Sequence, residues 1–216
     1  MGIQERKERE KERRRQQIMV AAKRVFVEKG FAGATMEDIA REAELSAGTL
    51  YLYFKNKNEL YASLTLRVLQ YLNIRLEHLI SDSESDLRSK ISNIKNALLD
   101  VYEFDPLILR NLFHLQSSEV LRSLSSELVD DIRIIGHNAL EKLARIFQQG
   151  IQEGICSQHQ PTAIADVVWA LFSGVVLWET SKSAIDSKKD FLKPTLETAF
   201  EIFEKGIMVH EGELAG

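Results

Sequence analysis

Between Ser46 and Lys57 the chain reads Ser-Ala-Gly-Thr-Leu-Tyr-Leu-Tyr-Phe-Lys-Asn-Lys, a concentration of hydroxyls, phenols and lysines around Leu50, Leu52 and Phe54. On a short helix opened by Ser46, Leu50 and Phe54 turn inward while Ala47, Gly48, Thr49, Tyr51 and Tyr53 face out. Small residues permit close approach to base edges, Thr49 can hydrogen-bond a base or touch a thymine methyl, and phenolic hydroxyls can donate to phosphates. Lys55 and Lys57 follow directly. Lys57 falls in the first turn of the next helix, where free N–H groups and a positive dipole end favour a phosphate. The chemistry these residues could do is recognition of double-stranded DNA.

Other chemistries find no support in the spacing. The five histidines, His78, His114, His137, His159 and His210, form no H-x-x-x-H or H-E-x-x-H pattern, and the single cysteine, Cys156, excludes a Cys-rich metal site. No nucleophile–base–orienter set or Gly-rich phosphate loop is present, so neither an enzyme nor a bound cofactor is expected. Nothing basic near Cys156 in sequence would lower its pKa, and an unreactive thiol is predicted. Candidates for a small-molecule pocket are Tyr102, Asn111, His114, Trp169 and Phe172. Each has an ordinary alternative: a satisfied or exposed histidine, or aromatic packing in core or interface.

These groups need helices to position them. Three prolines and eleven glycines in 216 residues leave few breakers for a sandwich of short strands, and an all-α fold is predicted. A charged arm over the first fifteen residues, with Glu5 and Arg9, and Glu10 and Arg14, at i,i+4, extends into a helix carrying Ile18, Ala22, Val25 and Phe26 and ending near Gly30. Arg13, Arg14 and Arg15 either enter a minor groove, follow the phosphate backbone, or belong to a solvated helix or a frayed terminus. Thr35 and Asp38 form a variant capping box before Met36, Ile39, Ala40 and Ala43. This short helix and the one after Ser46 make a helix-turn-helix candidate. A long helix opens at Asn56 and Glu59; another carries Leu87 to Tyr102; a short one runs from Pro106 through His114; and a long one spans about Glu127 to Ile155. From Ala163 to Trp178 only Asp166 and Ser173 are polar. A helix apolar all round must be covered all round, and the simplest cover is the same helix of a second copy, joined by the last helix from Pro194. The expected homodimer face holds Val167, Leu171, Gly174, Val175, Trp178, Phe200 and Phe203. Residues 1–57 are read as the DNA-binding domain with its arm, and 58–216 as a helical ligand-binding and dimerisation domain.

Charge is divided the same way. Residues 1–57 hold 13 Lys and Arg against 9 Asp and Glu; residues 58–216 hold 15 against 23. A basic head on an acidic body suits a head that meets a polyanion. The first seventeen residues carry eleven charges and are no signal peptide, while the most apolar stretch, Val167 to Trp178, is too short to span a bilayer, so a cytoplasmic protein is expected.

The ordered features Ala21-Ala22, Phe26, Lys29-Gly30-Phe31, Thr35-Met36, Ile39-Ala40, Ala43, Ser46, Gly48-Thr49-Leu50-Tyr51, Tyr53-Phe54 and Lys57 make residues 18–60, about a fifth of the chain, similar to the DNA-binding domain of TetR/AcrR-family transcriptional regulators. The resemblance implies a three-helix head, a helical effector-binding body and a homodimer formed largely by the last two long helices. It also implies Ala47, Gly48, Thr49 and Tyr51 in the groove, Thr35 and Tyr53 on the DNA backbone, and Lys57 on a phosphate. Glu44 departs from the pattern, since many relatives carry Gly there, and implies strain or an altered turn. The expected function is a ligand-responsive regulator, a repressor that binds a palindromic operator as a dimer and is released by a small hydrophobic or amphipathic effector. The alternative is a helical small-molecule carrier or interaction dimer without specific operator binding.

Overall fold

A computed structural model describes residues 2–106, 109, 118–185 and 191–209. Among these the secondary structure is helical: α1 Ile3–Gly33, α2 Met36–Glu42, α3 Ala47–Tyr51, α4 Lys57–Ser81, α5 Leu87–Phe104, α6 Ser118–Ser123, α7 Ser126–Gln152, α8 Pro161–Ile185 and α9 Leu192–Ile207. The fold is all-α, as expected. The short helix expected from Pro106 through His114 lies largely outside the described residues, while α6 was not anticipated. Two compact units are formed, one drawn from Met1–Arg67 and Asn111–Asp131, the other from Val68–Arg110 and Ile132–Gly216. Both α4 and α7 contribute residues to each unit.

In the first unit α1 begins at Ile3, so the charged arm is the start of the first helix. Within it Glu10 holds Arg13 at 2.6 Å and Arg14 at 3.9 Å. The apolar stripe of Ile18, Met19, Ala22, Val25 and Phe26 is buried, and Gly30, with φ of 69°, breaks the helical path where the sequence placed its end. Buried with that stripe are Ile39 and Ala40 of α2, Leu50 of α3, Phe54, and Leu60 and Tyr61 of α4. Aromatic edges join the set, with Phe26, Phe31 and Tyr61 centroids 5.0 to 5.8 Å apart.

The second unit packs α9 against α5 and α8, with Ile91, Ile94, Leu98, Leu143, Phe147, Val168, Phe172 and Leu196 buried. A short strap closes it: the Ser157 N–H donates to Ile207 at 2.8 Å and the Val209 N–H to Ile155 at 2.9 Å, bracketing an isolated antiparallel bridge between Cys156 and Met208. Gly150 allows Cys156 to approach, since a Cβ there would stand 2.6 Å from the Cys156 sulfur. Burial raises the Cys156 pKa, so the thiol is held protonated, as the sequence suggested.

Helix α8 is longer than its apolar centre. Pro161–Lys182, 22 residues, is long and apolar enough by length and composition to cross a membrane, whereas the twelve-residue estimate was not. One side, with Ile164, Ala165, Val168, Phe172 and Val176, is buried in the unit's own core, as in an ordinary core helix. The other side, Ala163, Val167, Ala170, Gly174, Leu177 and Trp178, is exposed on the protomer.

Candidate nucleic-acid interface

The turn between α2 and α3 is built from backbone hydrogen bonds. The Leu45 N–H donates to the Ala40 carbonyl at 2.9 Å and the Glu44 N–H to that of Arg41 at 3.1 Å, the paired pattern of a Schellman stop. That motif needs a left-handed residue at its centre, and Glu44 supplies it with φ of 56°. The expected strain at this position is therefore real.

Capping chemistry fixes both short helices. Thr35 Oγ1 accepts from the Asp38 N–H at 3.1 Å, and the Thr35 N–H reaches back to the Asp38 carboxylate at 3.3 Å, closing the box with Asp in place of the commoner Glu. Lys29 Nζ sits 2.7 Å from the same carboxylate, and with Thr35 it lowers the Asp38 pKa from 3.8 to about 2. In α3, Ser46 Oγ accepts from the Thr49 N–H at 3.1 Å and pairs with the Thr49 hydroxyl at 2.9 Å. Leu50 and Phe54 are buried as expected. Thr35, Ser46, Gly48, Tyr51 and Lys55 are exposed, Ala47, Thr49, Tyr53 and Lys57 half-buried. Leu52, not among the expected contacts, is 82% exposed beside Tyr51 at 47%.

Lys57 is where the side chain does something the sequence reading missed. Its ammonium donates to the carbonyls of Phe31 at 2.8 Å, Ala32 at 3.3 Å and Ala34 at 3.0 Å, and lies 4.7 Å from the Phe31 ring centroid. It therefore ties the start of α4 to the α1–α2 link, with its three donors directed at protein carbonyls. Arg15 is also turned inward. One guanidinium nitrogen donates to the Tyr53 carbonyl at 3.3 Å, another to Ser63 Oγ at 3.4 Å, and the group stacks 4.4 Å from the Phe54 centroid. Of the three arm arginines considered for the minor groove, this one is engaged with the head itself. Gln17 Nε2 donates to the Ala43 carbonyl at 2.8 Å. Long-range bonds from side chain to backbone leave no periodic trace, so no sequence signal marks these three.

Of the expected effector residues, Trp169 and Phe172 meet, but they meet at the packed core. Phe172 is enclosed in the core, Tyr102 is buried on α5, Trp169 packs against Phe172 at 5.9 Å, and Asn111 and His114 lie outside the described residues. A recess of about 550 Å³ in the second unit is lined instead by Leu140, Ala144, Arg145, Pro161 and Ala165. On the expected pairing face, Val167, Gly174 and Trp178 are exposed, the last at 62%, and Leu171, Val175 and Phe203 are half-buried. Phe200 is a correction. At 5% exposure it belongs to the protomer's own core, and Ile202, at 68%, is the residue α9 presents.

Comparison with known proteins places this geometry. Residues 18–64 match the profile of the bacterial regulatory proteins of the tetR family. The fatty acid metabolism regulator protein of Bacillus subtilis is 31% identical over 139 residues, covering 64% of this chain and 68% of that protein. The chain belongs to the TetR family. It is a DNA-binding transcriptional regulator with an N-terminal helix-turn-helix head and a helical body, and not an enzyme. Among solved structures, the fatty acid degradation regulator FadR from Bacillus halodurans superposes with a TM-score of 0.70 at 22% identity, covering 89% of this chain and 95% of that one. FadR from B. subtilis in complex with stearoyl-CoA gives 0.66 at 24%, covering 90% and 99%.

Proposed function

We propose that this TetR-family regulator is an effector-released repressor, binding a palindromic operator as a homodimer with one α3 in the major groove of each half-site. The observation that carries the reading is the outer surface of α3, where Gly48 and Tyr51 are exposed and Thr49 half-buried on a helix whose own N-cap is already satisfied. Small residues lead the helix into the groove, Ala47 and Thr49 face base edges, and Thr35, Ser46, Tyr53 and Lys55 flank the phosphates. Lys57 acts at the same edge through the helix start it anchors. On this reading residues 1–57 read DNA, and residues 58–216 bind effector and pair through the outward faces of α8 and α9. The protein works in the cytoplasm, without a cofactor or membrane.

The effector is a hydrophobic or amphipathic molecule. A long-chain acyl-CoA is the first class to try, because one relative is described as a fatty acid metabolism regulator and one fold neighbour is described in complex with stearoyl-CoA. Release requires the effector to prefer a body conformation whose heads mismatch successive grooves, and α4 and α7, which contribute to both units, are the elements able to transmit it. Reversing a 1:99 population takes roughly 5.5 kcal/mol of differential affinity.

The test is selection of bound fragments from genomic DNA by the purified protein, beside Tyr51→Ala, at two salt concentrations, with and without stearoyl-CoA. An enriched palindrome lost in Tyr51→Ala and released by the thioester is the expected result. Failure of wild-type protein to enrich any sequence would favour the carrier reading, and enrichment insensitive to stearoyl-CoA would exclude that effector.

A further inference from the structure

Helix α3 is five residues long, and its orientation is set by what holds the chain on either side of it. Both grips come from one turn of α1. Ahead of α3, Gln17 Nε2 donates to the carbonyl of Ala43, the residue that ends α2 just before the strained Glu44. The Gln17 amide cannot turn freely, because Arg14 donates to its Oε1 at 2.9 Å, which leaves the NH₂ facing Ala43. Behind α3, Arg15 donates to the Tyr53 carbonyl while its guanidinium lies over the Phe54 ring. Tyr53 and Phe54 are the second and third residues past the end of α3.

We propose that Arg15 and Gln17 are positioning residues for base reading: a two-point clamp that fixes the tilt of α3 against the body of the head. The inference rests on α3 being the DNA-reading helix. A planar fork and a flat cation over a ring make Arg15 irreplaceable by Lys, which keeps the charge but neither the paired donors nor the stacking plane. Base contacts depend on placement to within about half an ångström and 10–20°, whereas attraction to phosphates tolerates looser geometry. Removing the clamp should therefore degrade discrimination more than attraction.

The variants are Arg15→Lys and Gln17→Met, the second losing the donor to Ala43 without changing the charge of the head. Each is compared with wild type for affinity to the operator selected by the wild-type protein and to mixed-sequence duplex, over a salt series, after thermal unfolding has shown both to be folded. The expected result is a loss of about tenfold on the operator, with mixed-sequence affinity and salt slope unchanged. Equal losses on the operator and on mixed-sequence duplex would place the lost interaction on the phosphates and overturn the proposal. Unchanged operator affinity in both variants would overturn it as well. Amide exchange without DNA provides an independent reading. The N–H groups of Leu52, Tyr53 and Phe54, which donate to Thr49 and Leu50, should exchange faster in Arg15→Lys while those of α2 do not. Faster exchange with no sequence enriched by wild type would retain the clamp and refute the operator reading; unchanged exchange refutes the clamp.

Discussion

Glu44 and Asp38 show how single residues near α3 bear on stability with opposite signs. At Glu44 the left-handed backbone costs a non-glycine residue about 1–2 kcal/mol, and glycine returns about half of that gain as extra freedom in the unfolded chain. Glu44→Gly should therefore stabilise the protein by about 0.5–1 kcal/mol, seen as a higher urea midpoint with an unchanged m-value. Asp38 works the other way. Its folded pKa of about 2 lies below the ordinary 3.8, so its contribution is fully present above pH 4 and is lost as pH falls through about 2. The urea midpoint of wild type should exceed that of Asp38→Asn at pH 6, and the gap should narrow from pH 4 to pH 2; a gap that stays constant would mean the capping box and Lys29 leave its titration unaltered. Both residues were legible in the sequence, because a capping box and a helix stop are local patterns. Lys57 was only half legible: its place at a helix start could be read, but its acceptors lie at Phe31, Ala32 and Ala34, over twenty residues away.

At the scale of elements, α1, α2 and α4 were readable because each has an apolar stripe, and α2 and α3 because Thr35 and Ser46 cap them. The last helix was harder. Its Leu196, Phe200 and Ile207 alternate with Ala199, Ile202 and Gly206 on an adjoining strip, and spacing alone does not say which strip faces in; the packed α5 and α8 decide it, which is why Phe200 was assigned outward and Ile202 overlooked. The strap was invisible for a related reason, since its bridge joins residues some fifty positions apart. It nonetheless makes a sharp prediction. Gly150→Ala drives a methyl to within 2.6 Å of the Cys156 sulfur and should cost about 1–3 kcal/mol in chemical unfolding. Most of that cost should vanish in a Cys156→Ala background, because the two side chains occupy the same space; simple additivity would show that the clash is not its source.

For the whole molecule, the division of charge and the exposed strip on α8 govern behaviour in solution. The basic head should make DNA affinity fall steeply between 50 and 200 mM salt, despite the overall charge of -4. Val167, Gly174 and Trp178 on α8 and Ile202 on α9 are exposed, and a charge placed on the proposed pairing face should prevent pairing. Val167→Glu is expected to sediment as a monomer at micromolar concentration and to bind operator at least about tenfold more weakly, since a single head engages one half-site. A dimer in Val167→Glu would move the interface elsewhere. Length and composition were enough to read the fold class and the charged polarity; the effector was not readable, because apolar side chains that line a pocket and those that fill a core have the same sequence pattern.

The buried sulfur beneath the strap has a practical meaning as well. With one cysteine in 216 residues, any thiol reagent has a single target, buried at the strap and against Gly150. The unmodified protein thus carries its own clock for local opening: labelling at the rate that global unfolding sets would mean that the strap opens only with the whole, and faster labelling would date its separate breathing.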